Sequence, residues 1–299
     1  MRPSLTAPEP VAARCHGEAL TLEVSLLGSP TWWPLTLDER IRVGSSVAWL
    51  KDLKPQSFEL SGPRAVTSLT YRRRTPPLHL LLLLDYSEAA AALDPSDQRR
   101  LMARQLVDSL NSMCVNHLGC VTQVSLLVLR GAGVQVLAAH ETSLDRVKQL
   151  LLDDPNLTAQ GRAPLWDGLV QVGRLLHGDT GEMTEVVVLY WGSAGDSDST
   201  ATQDQGMAVA ATVPVLVVRG PGAGESLVRD VAASSHGMLL QPTLSDVAGL
   251  YGVLASVVAG VWELAIAGGC GSEDVVAGTL DLTLPPQASW TRSFRLPLL

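Results

Sequence analysis

Residues 78–84 read Leu-His-Leu-Leu-Leu-Leu-Leu, and the run stops abruptly on Asp85. A short, uncharged apolar run bounded by polar turn residues suits a strand buried on both faces. Leucine alone favours helix. However, Pro76-Pro77 bars a helix from starting upstream, and the run is shorter than a typical helix. Such a strand belongs at the centre of a sheet covered by helices on both sides. It must end at the edge of that sheet, and in open α/β sheets the carboxyl ends of the strands are where ligands bind. Asp85, Tyr86, Ser87 and Glu88 fall at that edge.

The segments on either side supply the rest of the architecture. Residues 1–18 read as a disordered leader. Leu20 to Leu26 alternates apolar and polar, which marks a strand with one wet face. Short strand candidates follow at 35–37, 41–43, 47–50, 57–60 and 66–71. Close spacing with turns between them implies a small antiparallel β unit, with Trp32, Trp33 and Trp49 in its core. Beyond Asp85, Asp94-Pro95-Ser96-Asp97 opens a helix whose apolar face is Met102, Leu106, Leu110 and Met113. Residues 121–129 and 134–139 read as a hairpin across Gly131-Ala132-Gly133. Ser143 and Asp145 open a short helix, and Leu165, Leu169, Val172 and Leu176 line the next. Strands at 186–190, 213–218 and 238–240 alternate with helices near 205–211 and before Gly237. A long helix capped by Ser245 carries Leu250, Leu254, Val258 and Val261. From Glu263 the pattern is β again, with Leu280, Leu282 and Leu284 alternating and Trp290, Phe294 and Leu296 on one face.

Alternating strands and helices imply an α/β fold with a doubly wound, mostly parallel sheet. The expected division is a leader over 1–18, an N-terminal β unit over 19–75, an α/β domain over 76–267, and C-terminal strands over 268–299. Those last strands would pack with the N-terminal ones as a split β unit.

Charge and motif content exclude several functions. The chain carries 30 acidic against 22 basic residues, a net charge of -8, which argues against a nucleic-acid partner. Arg72-Arg73-Arg74 reads as a solvated strand end. Residues 247–262 are uncharged but shorter than the ~20 residues a membrane span needs, so a buried helix is expected rather than a span. The first 19 residues show no apolar signal-peptide core, which leaves a cytoplasmic chain as written. Four scattered cysteines do not make a disulfide framework. Cys15 and Cys270 would pair only if the chain ends meet in an oxidising compartment, and Cys114, His117 and Cys120 read as packed side chains. Histidines 16, 79, 117, 140, 177 and 236 form no local cluster. Gly220-x-Gly222-x-Gly224 lacks Rossmann spacing, and Glu225 stands where a phosphate loop has lysine, so a plain turn is expected. No Gly-x-Ser-x-Gly elbow occurs. An enzyme is therefore not expected; an α/β nucleotide-binding protein or enzyme is the alternative from another class.

Asp85-x-Ser87 at the end of the first buried strand resembles the opening of a von Willebrand factor type A domain, where Asp-x-Ser-x-Ser begins the metal-ion-dependent adhesion site. Here Ala89 takes the third position. The family's Thr-x-Leu-Tyr-Asp-Ala is matched by Ala163-Pro164-Leu165-Trp166-Asp167-Gly168, with Ala163 at the threonine. Its Thr-Asp-Gly is matched by Tyr190-Trp191-Gly192, with Trp191 at the aspartate. Residues 53–60 also resemble a stretch that precedes the A domain in some bacterial members. The resemblance implies a bacterial-type A domain with a degenerate metal site. Its expected function is non-catalytic protein–protein interaction or adhesion through the strand-end loops, with no cofactor required. Asp85 and Ser87 alone would hold Mg²⁺ weakly, since that ion takes about six oxygens; Glu88, Asp196 or Asp198 could compensate in a metal-dependent rival with substituted ligands. Expected contact residues are Asp85, Tyr86, Ser87, Glu88, Trp191, Asp196 and Asp198, and their acidity favours a basic partner surface. Trp191 is either an exposed contact or a buried plug. The family resemblance also leaves an extracytoplasmic location open.

Overall fold

The computed structural model describes residues 13–16, 19–24, 58–60, 65–73, 78–115, 122–131, 133–177, 183–235, 237–240, 260–267, 275–284 and 288–297. Several expectations fall outside these residues: most of the leader, the strands expected at 35–37, 41–43 and 47–50, Trp32, Trp33 and Trp49, His117, Cys120 and Cys270, and the helix expected from Ser245 up to residue 259.

The first strands are β1 (Ala13–His16), β2 (Ala19–Val24), β3 (Phe58–Leu60) and β4 (Ala65–Arg73). An α/β segment follows. It comprises β5 (Leu78–Asp85), α1 (Glu88–Leu93), α2 (Gln98–Val115), β6 (Thr122–Arg130), β7 (Gly133–Glu141), α3 (Leu144–Asp153), α4 (Leu165–Leu175), β8 (Thr184–Trp191), α5 (Gln203–Ala210), β9 (Val215–Arg219), α6 (Ser226–Ser234) and β10 (Met238–Leu240). The chain closes with β11 (Gly260–Ala267), β12 (Val275–Leu284) and β13 (Ala288–Pro297).

The outer strands form two antiparallel sheets, ordered β1-β2-β11-β4 and β13-β12-β3. N-terminal and C-terminal segments therefore share both sheets. β11 pairs along β4 from Gly260 opposite Arg73 to Ala267 opposite Ala65. Residues 260–267 thus belong with the β unit, and Val261 lies in a strand rather than at the end of a helix. Trp262, Leu264 and Ile266 recur at period two, a strand signal that the preceding apolar run overlaps. The register slips between Ala265 and Ile266, and Thr67 Oγ donates to the Ala265 carbonyl at 3.1 Å.

The α/β unit is a six-stranded sheet ordered β10-β9-β8-β5-β6-β7. All neighbours are parallel except β6 and β7. Counted from β5, the order is 3-2-1-4-5-6, the doubly wound arrangement, with its third strand reversed. All eight residues of β5 are buried, as the leucine run demands. On one face Leu81 and Leu83 join Leu127, Leu129 and Leu189 against Leu165, Trp166 and Leu169 of α4. Gly168 lets that helix sit close: a Cβ there would lie 2.6 Å from Leu129 Cδ2. On the other face Leu82 and Leu84 lie near Met102 and Leu106 of α2.

Local signals set the helix starts. Ser87 caps α1 by accepting from Ala90 N, and Ser143 caps α3 through Arg146 N. Thr202 and Gln205 form a reciprocal capping box, which starts α5 at Gln203, earlier than its apolar pattern suggests. Among the described residues no helix is long and apolar enough to cross a membrane.

Leu82 is fully buried at the centre of the sheet, whereas Leu93 on α1 is 42% exposed. Leu82→Ala should destabilise the protein by about 3 kcal/mol in urea denaturation, within the usual range for a deleted core leucine. Leu93→Ala should change stability by less than about 0.5 kcal/mol.

Candidate functional site

β5 and β8 are neighbours whose following connections leave in opposite directions. The crevice beyond their carboxyl ends is the switch point where doubly wound sheets hold ligands. Asp85 ends β5 there and is fully buried. Its Oδ1 accepts from Ser87 N at 3.0 Å, and its Oδ2 accepts from Gly192 N at 3.0 Å and Ser193 Oγ at 2.7 Å. Ser87 Oγ lies 2.7 Å from Ser193 Oγ while accepting from Ala90 N at 3.1 Å. Both serines are buried. Gly192 is required by close approach, because a Cβ on it would meet Ala90 Cβ at 2.6 Å. The carboxylate is thus tied to the α1 turn and the loop after β8 by short bonds, and none of its donors is a cation.

Trp191, the last residue of β8, is fully buried in the apolar cluster that includes Leu189, Val217 and Ala223. Its carbonyl accepts from Gly220 N at 2.8 Å, and Ser193 O accepts from Gly224 N at 2.9 Å. The glycine-rich turn after β9 therefore closes down on the loop after β8. Glu225 at its end pairs with Arg219 at 3.5 Å and with Arg229.

Tyr86 is also buried, at 1% exposure. Its hydroxyl donates to both Asp97 carboxylate oxygens at 3.0 and 3.1 Å, and the Arg99 guanidinium sits 4.3 Å from its ring centroid. Burial and the Asp97 charge raise the Tyr86 hydroxyl well above its ordinary value. Asp94 accepts from Gln98 N and Arg99 N at the start of α2. Tyr86 is thereby locked beneath the α1–α2 connection.

The polar loop after β8 is held to the start of α4. Asp196 Oδ1 accepts from Leu165 N at 2.7 Å and from Ser199 Oγ at 2.6 Å. Ala163, at the position of the family threonine, is buried; its N–H donates to Ser197 Oγ at 3.2 Å and its carbonyl accepts from Ser197 N at 3.1 Å. Asp167 accepts from Thr200 N, Thr200 Oγ and Ala201 N at 2.7–3.1 Å. Burial alone would raise its carboxyl, but these bonds, with Arg174 nearby, outweigh that and hold it below the usual 3.8. Asp198 pairs with Arg162 at 2.9 Å and is 46% exposed.

The expected contact residues therefore divide. Asp85, Ser87 and Trp191 meet at the switch point, inside the protein. Tyr86 faces the α1–α2 connection, and Asp196 is a helix cap. Of the seven expected contact residues, Glu88 and Asp198 alone are exposed. For Trp191 the structure selects the plug. Ser193 was not singled out by sequence; its signal is its place two residues past the end of β8, level with Ser87.

A family-type Mg²⁺ site does not fit these residues. Ala163 and Trp191 bring no oxygen, and both Asp85 oxygens already accept from backbone or Ser193. Magnesium demands about six oxygens in near-octahedral array; the side chains here offer one carboxylate and two hydroxyls bonded to each other.

The chain matches no protein-family model and no curated protein. Solved structures resemble it in fold. A von Willebrand factor type A protein from Catenulispora acidiphila aligns with a TM-score of 0.48 and 11% identity over 81% of this chain and 73% of its own. Proximal thread matrix protein 1 from the mussel byssus aligns at 0.47 and 16% identity over 63% of this chain. This chain spans 49% of that protein's length. BatB from Bacteroides thetaiotaomicron aligns at 0.44 and 11% identity, over 60% of this chain and 98% of its own. These likenesses concern fold alone. The α/β unit is von Willebrand A-like in its strand order and its single reversed edge strand.

Two outcomes test the closed crevice. Ser193→Ala removes a donor to Asp85 and a partner of Ser87, and should cost about 1–3 kcal/mol in urea denaturation. Asp167, depressed in the folded state, contributes stability that is present above its unfolded pKa and lost as pH falls through its folded value. The Thr200 and Ala201 amides should therefore lose hydrogen-exchange protection in acid below about pH 4. Asp167→Asn should weaken them at neutral pH and flatten that dependence.

Proposed function

We propose that this chain is a non-catalytic protein-interaction module that binds its partner on the rim around the carboxyl edge of the α/β sheet and needs no metal ion there. The closed switch point carries this reading. Where a ligand or ion would enter, Trp191 fills the space and the Asp85–Ser87–Ser193 bonds seal it. Chemistry on a small substrate requires a concave site with convergent polar groups. At this edge the convergent groups are consumed by one another, and the glycine turn is spent on backbone bonds to the β8 loop.

The surface that remains favours a partner that is itself folded or extended protein. Glu88, Ala89 and Leu93 are exposed along α1, and Pro221 and Gly222 are exposed beside Leu93. An apolar contact at Leu93 flanked by the Glu88 carboxylate suits a partner with a small apolar hollow and a lysine or arginine on its border. The acidic character of the rim is less than the composition of the loop suggests, because Asp196 is turned inward and Asp198 is neutralised by Arg162.

The test is affinity capture with cross-linking mass spectrometry, repeated with EDTA. Binding should survive the chelator, and cross-links should map to α1 and the 221–222 turn. Leu93→Asp should weaken a captured partner about tenfold or more with Tm unchanged. Trp191→Ala should lower stability by about 3–5 kcal/mol as a buried aromatic lost from the core. Binding abolished by EDTA and restored by Mg²⁺ would overturn the reading.

A further inference from the structure

At the opposite edge of the same sheet, residues far apart in sequence converge. His79 is the second residue of β5 and Glu185 the second of β8, and the two are register partners. His140 lies near the end of the reversed strand β7, and His177 lies two residues beyond α4. Sequence spacing shows no cluster among the histidines, yet these three pack ring against ring. The centroids are 4.9 Å apart for His79 and His140, 5.0 Å for His79 and His177, and 4.6 Å for His140 and His177. Each offers a ring nitrogen, and these atoms all lie within 4.8 Å of one another.

Neutral imidazoles packed for shape alone would account for a pair of such rings. Three further features are harder to explain that way. First, His140 is placed by a β-bulge. Val124 pairs with Glu141 and Leu126 with Ala138, so Ser125 alone faces two residues of β7. Bulges of this kind re-aim side chains and are over-represented beside functional sites. Second, the bulge holds His140 at φ +50°, a left-handed conformation uncommon outside glycine, and the Ser125 hydroxyl secures it by accepting from His140 N at 3.0 Å. Third, His140 Nδ1 is buried with no hydrogen-bond partner among the described residues. A buried, unpaired ring nitrogen beside two other imidazoles is a donor atom without an assigned task.

The carboxylate beside the cluster matches what a metal-bound imidazole requires. Glu185 Oε1 lies 3.0 Å from His79 Nδ1 and 3.1 Å from His177 Nδ1, and it also accepts from His177 N at 2.9 Å. A carboxylate accepts only, so both histidines carry their proton on Nδ1 and leave Nε2 as the lone-pair nitrogen. Metal-ligating histidines characteristically donate their other ring N–H to a carboxylate in this way. In this state His79 Nε2 is 2.9 Å from Ser125 Oγ, a bond the hydroxyl can exchange while still accepting from His140 N.

We propose that His79, His140 and His177 form a binding site for a borderline transition-metal ion, Zn²⁺ first, with Glu185 orienting two of the ligands. Three imidazoles suit zinc, copper or nickel and do not suit magnesium or calcium, which require oxygen. Three protein ligands leave one tetrahedral position for water or a partner side chain. Zinc–nitrogen bonds of about 2.0–2.1 Å place the nitrogens roughly 3.3 Å apart, so the rings must draw inward on binding. Coordination would tie β5, β7 and the segment after α4 together at the amino edge, away from the rim proposed for the protein partner.

The full chain, stripped with EDTA and dialysed, should be titrated with ZnCl₂ by calorimetry and followed by differential scanning calorimetry. One equivalent should bind with Kd on the order of micromolar or tighter, and Tm should rise with zinc concentration. MgCl₂ should do neither. His140→Ala and His177→Ala lie towards the surface and spare the buried His79; each should weaken zinc at least tenfold, and the double variant should abolish the one-equivalent step. Glu185→Gln, which touches no metal, should weaken it about 10–100-fold. Cobalt(II) in place of zinc should give a tetrahedral visible spectrum that the double variant lacks. Zinc binding that persists in the double variant, or no zinc binding in the wild-type chain, overturns the proposal. Both results are independent of whether the rim binds a protein.

Discussion

Burying every side chain of β5 obliges its two polar residues to find partners inside the protein. A buried polar group without a hydrogen bond costs a few kcal/mol. His79 meets that demand near the strand's start through Glu185 and Ser125, and Asp85 meets it at the strand's end through Ser87, Gly192 and Ser193. Both edges of the sheet are arranged around these two residues. At the carboxyl edge the outcome is closure: the loop after β8 is bonded to the cap of α1 on one side and to the glycine turn after β9 on the other. At the amino edge the outcome is convergence, with three imidazoles packed together, His177 edge-on to the other two.

The contrast between the edges separates stability from binding. The carboxyl edge has the topology of a ligand site, but its carboxylate and hydroxyls are bonded to one another and to backbone, and Trp191 beside them is fully buried. Such a site contributes rigidity, and it presents a firm platform from which Glu88 and Leu93 project. The amino edge has no topological claim to a ligand, yet it holds nitrogen donors that the fold positions at the cost of a left-handed residue in a strand. Fold alone directs attention to the carboxyl edge and away from these imidazoles.

Much of the fold was legible in the sequence, because hydrophobic periodicity reports the elements directly. The leucine run gave β5, the apolar faces gave α2 and α4, the capping residues at Ser143 and Asp145 gave α3, and Gly131 to Gly133 gave the hairpin that reverses β7. Details that depend on direction were not legible. A strand's last residue can point to core or rim, so Trp191 was equally readable as plug or contact until its neighbours were placed. Ser193 lies in a run of small polar residues with no pattern of its own. The histidine cluster was invisible for a different reason: it arises from cross-strand register between β5 and β8 and from one extra residue in β7. Neither leaves a trace in local spacing. Residues 260–267 were obscured because a period-two pattern follows an apolar run without a turn signal to divide them.

The pairing of Gly260 with Arg73 carries a consequence for how the chain is put together. The strand that leads into the α/β unit and the strand that leads out of it are hydrogen-bonded neighbours, so the points of departure and return lie about 5 Å apart. Ends that close together are what make an inserted domain interchangeable. The α/β unit could be excised and its ends bridged by a short turn between β4 and β11, or transplanted as a cassette into another antiparallel pair, with little disturbance to the host sheet.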